Sequence, residues 1–107
     1  MKNIKIVYEY DGSKFSGFQR QVNRKTVQGS IEEVIKNCFD EEINLLSSGR
    51  TDKGVHALGQ VSNFFMKKDI SPDIIKRILN RSLSSGIRII EAKEADNDFH
   101  ARFSAKT

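Results

Sequence analysis

The apolar residues of this chain keep changing step. In residues 3–10, NIKIVYEY, Ile4, Ile6, Tyr8 and Tyr10 share one parity while Lys5 and Glu9 take the other. That alternation is the mark of a strand with one wetter face. Past a polar stretch the period lengthens. Val27, Ile31, Val34, Ile35, Cys38 and Phe39 recur at helical spacing after Thr26, a residue suited to cap a helix. Cys38 falls on this stripe and is expected as a buried thiol with no nucleophilic role. The stretches 43–48 (INLLSS) and 60–66 (QVSNFFM) read as two further strands. Ser71-Pro72-Asp73 then starts a second helix: a cap, a proline in the first turn and an acid near the positive end of the dipole. Ile74, Ile75, Ile78 and Leu79 supply its apolar face, and the SSG at 84–86 ends it. Residues 87–95, IRIIEAKEA, return to strand character, and the tail 98–107 alternates as well.

The resulting order is β-α-β-β-α-β with an extended tail. It predicts an α+β fold, a ferredoxin-like (RRM-like) sandwich with two helices on one face of an antiparallel sheet. Sheets of this kind often bind RNA on the uncovered face. At 107 residues the chain fits a single domain. One cysteine excludes an internal disulfide. The N-terminus lacks the apolar core of a signal peptide, and no apolar run approaches the ~20 residues that span a bilayer. A cytoplasmic address without membrane attachment is therefore expected. A formal net charge of +4 permits an anionic partner without requiring one. The chain stops inside a strand-like pattern, as a cut fragment would.

Two segments carry the candidate chemistry. The loop from Asp11 to Lys25, DGSKFSGFQRQVNRK, is longer and more basic than an ordinary connection. The stretch from Ser47 to Val61, SSGRTDKGVHALGQV, packs Arg50, Asp52, Lys53 and His56 among three glycines. It is not a phosphate loop: Gly49 and Gly54 have the glycine spacing of one, but Val55-His56 replaces the required Lys-Ser/Thr, and Asp52 inside the loop would repel a phosphate. It is not a zinc site, because His100 is the only other imidazole and no cysteine pair exists. Ser47 and Ser48 lack the strand-turn-helix elbow of a serine nucleophile. Asp52 remains. Flanking cations keep a carboxylate charged at neutral pH, and a charged carboxylate serves as nucleophile or base. Spacing alone leaves a second, more ordinary role open, in which Asp52 satisfies turn amides.

GRTDKGVHALGQV (49–61) resembles the signature loop of the TruA family of tRNA pseudouridine synthases. YDGSKFSGFQRQ (10–21) is similar to that family's N-terminal loop, TVQGSIE (26–32) to the start of its first helix, and DFHARFSAKT (98–107) to the stretch closing its N-terminal half. The motifs stand in the family's order over nearly the whole chain. The resemblance implies isomerisation of uridine to pseudouridine in the anticodon stem-loop of tRNA, without metal or organic cofactor, by a homodimer. It places Asp52 on the essential aspartate, whose carboxylate attacks the target nucleotide or assists glycosidic cleavage. Arg50 falls on the arginine that contacts this aspartate and helps hold or displace the flipped base. Flipping costs a few kcal/mol of unstacking, and less in a loop. Lys14, Arg20 and Arg24, with Gln19 and Gln21, become candidate contacts to phosphates and sugars, and Arg102 a neighbour of the cleft. Phe15 and Phe18 pack beneath the loop or stack on a base. His56 is read as a structural member of its loop.

Lys53, where many members carry a small residue, and SLSSGI (82–87), which lacks a proline and acid common there, depart from the pattern away from the chemistry. Members of the family are about twice as long, with a second domain that completes the cleft and an active-site tyrosine beyond Thr107. Residues 1–107 are thus expected to be the N-terminal, aspartate-bearing domain, weak or inactive alone. The alternative is an RNA-binding module without catalysis.

Overall fold

The structure is a computed structural model that describes residues 1–11, 26–47, 57–83 and 86–97. Its elements are β1 (Lys2–Tyr10), α1 (Val27–Phe39), β2 (Leu46–Ser47), β3 (Ala57–Met66), α2 (Pro72–Ser82) and β4 (Ile87–Ala95). The strands form one sheet in the order β2-β3-β1-β4, and every neighbouring pair is antiparallel. β1 and β2 therefore run parallel with β3 between them, and β3 and β4 run parallel with β1 between them. Each such crossover carries one helix, and a shared right hand puts both helices on one face. This is the ferredoxin-like α+β arrangement that the periodicity predicts.

β1 lies at the centre because its alternation serves two neighbours. Ile4, Ile6, Tyr8 and Tyr10 are buried, and opposite them on β3 stand Phe64 and Ser62, also buried. Ile87 and Ile89 of β4 continue this face. Val27, Ile31, Ile35 and Phe39 of α1 and Ile75 and Leu79 of α2 close the same core. The opposite pleat face carries a buried amide pair. Asn63 donates from Nδ2 to Asn3 Oδ1 (2.8 Å), and Asn3 Nδ2 donates to the Asp96 carbonyl (2.7 Å). These bonds tie the end of β4 to β1 and β3, as buried amides require.

Local signals account for the boundaries. The Thr26 hydroxyl accepts the Gly29 N–H (3.1 Å) at the start of α1. α1 stops at Asp40, whose left-handed backbone (φ 55°, ψ 44°) returns its N–H to the Lys36 carbonyl (2.9 Å). In α2, Pro72 and Asp73 hold the expected first-turn places.

Several expectations need correction. The Ser71 side chain makes no capping bond; its carbonyl takes the N–H groups of Ile74 and Ile75 instead. Ile74 is exposed, not part of the buried face. Cys38 is exposed too, with Sγ 3.5 Å from Ser82 Oγ of α2. The buried set of α1 includes Glu32 while Val34 is only half-buried, so the helix is rolled away from the side bearing Val34 and Cys38. β2 is shorter than 43–48, and β3 starts at Ala57, before residue 60.

Candidate active site

The sheet has a clear polarity. Tyr10, at the end of β1, stands opposite both Ala57, the first residue of β3, and Ile87, the first of β4. The Asp11 N–H donates to the Gly86 carbonyl (2.9 Å). This end of the sheet therefore holds the start of segment 12–25 and the finish of segment 48–56. Ser47, which precedes the second segment, pairs nearer the middle of the sheet with Ser62 on β3, which pairs in turn with Ile6 of β1.

Asp52 and Arg50 belong to 48–56, and Lys14, Gln19, Arg20, Gln21 and Arg24 to 12–25, so all lie outside the described residues. His56, Phe15 and Phe18 lie outside them as well. The strand ends nevertheless bring Asp11, which precedes the first segment, and Ala57, which follows the second, to one end of the sheet. Arg102 also lies outside, and its anchor is different: β4 finishes at Ala95 beside Asn3, about 23 Å along β1 from Tyr10 at ~3.3 Å per residue.

The approach to segment 48–56 is built with unusual care for an edge strand of two residues. On one side, Glu32 of α1 accepts the Leu45 N–H through Oε2 (3.0 Å), and Gln28 Nε2 donates to that oxygen (3.2 Å) and to the Leu45 carbonyl (3.4 Å). On the other, the Tyr8 hydroxyl bonds Ser62 Oγ (2.7 Å), and Ser62 Oγ bonds Ser47 Oγ (2.7 Å). Tyr8 is fully buried. Burial pushes its phenol well above the ordinary tyrosine range, and the serine hydrogen bonds pull only partly against that shift. At the far end of the segment, β1 advances two residues from Tyr8 to Tyr10 while β3 advances three from Gln60 to Ala57. Gly59 sits in this bulge at φ 82°, the conformation a bulge of this kind assigns to glycine.

Sequence reading passed over these anchors. Ser47 reads there only as a rejected nucleophile, and Glu32 only as part of TVQGSIE. The available signal is Ser62, a hydroxyl on the inward parity of β3 beside Phe64, across from Ile6 and diagonal to the inward Tyr8.

Among the described residues, no three His, Cys, Asp or Glu side chains group as metal ligands, and no helix is long and apolar enough to cross a membrane.

A sequence profile of the family described as tRNA pseudouridine synthase matches residues 6–104. The chain is 49% identical over 106 residues to tRNA pseudouridine synthase A of Acetivibrio thermocellus, and 50% identical over 106 residues to that of Caldicellulosiruptor bescii. Each alignment covers 99% of this chain and 43% of the relative. To the protein of the same name from Pelodictyon phaeoclathratiforme it is 50% identical over 107 residues, 44% of that relative. The chain thus spans less than half the length of the curated relatives it matches. A ferredoxin-like sheet, a profile match over nearly every residue and relatives about half identical across the chain place it in the tRNA pseudouridine synthase family.

Proposed function

We propose that residues 1–107 form the N-terminal, aspartate-bearing domain of an enzyme that isomerises uridine to pseudouridine in the anticodon stem-loop of tRNA. The observation that carries this reading is the family match across residues 6–104, which includes both motif segments, each joined to the sheet beside Tyr10 at one of its ends. In this reading the Asp52 carboxylate attacks the target nucleotide or assists departure of the base. The N1–C1′ bond breaks, the uracil turns, C5 bonds to C1′, and the C5 proton leaves while N1 regains one. Substrate and product are isomers, so no electrons enter or leave. Arg50 holds the Asp52 carboxylate and the space of the flipped base. Lys14, Gln19, Arg20, Gln21 and Arg24, with Arg102, contact phosphates and sugars and position the RNA. The complete protein acts as a homodimer, and the chain alone binds RNA with little or no turnover.

The test follows from the departing C5 proton. tRNA carrying tritium at uridine C5 should release it to water with the protein encoded by the complete gene. Asp52→Ala should lower that rate at least about 10²-fold, the lower range for a group that acts on the reacting atoms. Activity that survives the substitution refutes the assignment. RNA affinity of the chain should fall steeply with salt if the basic residues neutralise phosphates.

A further inference from the structure

Buried polar groups that a core does not need point to a second role for what they hold. The face beneath α1 and α2 is chiefly apolar, yet beside the buried Glu32 carboxyl it encloses the hydroxyls of Tyr8 and Ser62, both fully buried. Phenylalanine and alanine or valine fill such sites without the cost of desolvating hydroxyls, and replacing both partners of a buried hydrogen bond by apolar groups is often close to neutral. What the hydroxyls add is direction. They fix Ser47 Oγ against β3 and β1. Glu32 does the same from the helix, reaching 13 residues along the chain to take the Leu45 N–H.

β2 itself offers little hold. It is two residues long, with Leu46 opposite Asn63 and Ser47 opposite Ser62. A ladder that short does not fix its own register. The side-chain bonds at Leu45 and Ser47 supply what the ladder lacks, immediately before the segment that contains Arg50 and Asp52.

From this we infer that Tyr8 and Glu32 are positioning residues for the Asp52 carboxylate, acting through a two-sided clamp on Leu45–Ser47. The inference rests on the proposed role of Asp52. Reaction requires the attacking group in a narrow geometry, and displacement by about 1 Å at a distance from the chemistry costs up to ~10²-fold in rate. A clamp of this kind acts on the chemical step and leaves RNA binding alone, because the basic residues proposed to meet the RNA backbone lie chiefly in another segment, 12–25.

The experiment uses the protein encoded by the complete gene and single-turnover tritium release with enzyme in excess over tRNA. Tyr8→Phe keeps the ring and removes the hydroxyl; Glu32→Gln keeps the volume and weakens the acceptor. Each is expected to lower the single-turnover rate constant about tenfold while the tRNA Kd stays within about twofold. Ile75→Val, a core change on α2, controls for stability: it should lower Tm and leave the rate constant unchanged. Ser47→Ala, at the surface-side end of the hydroxyl chain, should reproduce Tyr8→Phe even if Tyr8→Phe folds poorly. Rates at the wild-type level for Tyr8→Phe, Ser47→Ala and Glu32→Gln, with Asp52→Asn inactive, overturn the clamp and spare the catalytic reading. Full activity of Asp52→Asn overturns both. A loss of rate in Ile75→Val equal to that in Tyr8→Phe also overturns the clamp, since stability alone then explains it.

Discussion

Tyr8→Phe has a second consequence, one that needs no RNA. The Tyr8 phenol is fully buried, and burial raises its pKa well above the ordinary tyrosine value of 10.0. A raised acid keeps its proton in the folded chain at a pH where the unfolded chain has released it. Stability from this group is thus fully present below pH 10 and declines as pH rises above it. With the folded pKa far higher, the loss is well under 1 kcal/mol at pH 10 and on the order of 1 kcal/mol at pH 11. Phenylalanine cannot ionise and escapes that loss. At neutral pH the same substitution forfeits one net hydrogen bond, about 1 kcal/mol, while Ser62 and Ser47 still bond each other. The two effects oppose. Wild type should be the more stable at pH 8, and the two curves should meet close to pH 11. Urea melts of the 107-residue chain and its Tyr8→Phe variant at pH 8, 9, 10 and 11 measure the gap directly. Lysines and other titrating groups act on both chains alike and cancel in the difference. A gap that stays constant from pH 8 to 11 refutes the placement of the Tyr8 hydroxyl in a water-free core.

Three other outcomes are expected. Gly59→Ala meets no atom within 4 Å but inherits φ 82°, so it should cost about 1–2 kcal/mol in urea melts. Asn80→Ala removes the amide that accepts the Ile89 N–H (2.7 Å) and donates to the Ile89 carbonyl (3.0 Å); a loss of about 1–2 kcal/mol is predicted. Cys38 is exposed, so iodoacetamide should label the native chain without denaturant, and labelling that requires denaturant contradicts its place on α1.

The parts of the fold that could be read in advance are those governed by a single local pattern. The alternation of Ile4, Ile6, Tyr8 and Tyr10 specifies a central strand because apolar period and buried face coincide. Ser71-Pro72-Asp73 marks α2 because proline at a helix start is tolerated on backbone grounds alone. What escaped was decided by side chains distant in sequence. β2 shrinks to two residues because the Leu45 backbone is taken by Glu32 and Gln28 rather than by a strand. The same engagement draws Glu32 into the interior and turns Cys38 out. Gly59 falls just before the strand expected at 60–66, yet it lies within β3, where a bulge uses its positive φ. For the candidate site, the sequence supplied the residues through motif resemblance, while the anchors of their segments appeared only when β1, β2 and β3 were brought into register.

The central place of β1 also has a consequence in time. Its two neighbours are the third and fourth strands to be made, and Lys2 meets its β3 partner only when Met66 has been added. At about 5–20 residues per second, synthesis leaves the middle of the sheet unpaired for several seconds. During that interval Ile4, Ile6 and Tyr8 have no strand to lie against. Long separations of this kind slow folding, because the intervening chain must close before either ladder forms. Trimming a few residues from the N-terminus would therefore not fray a margin; it would withdraw the strand on which β3 and β4 both assemble.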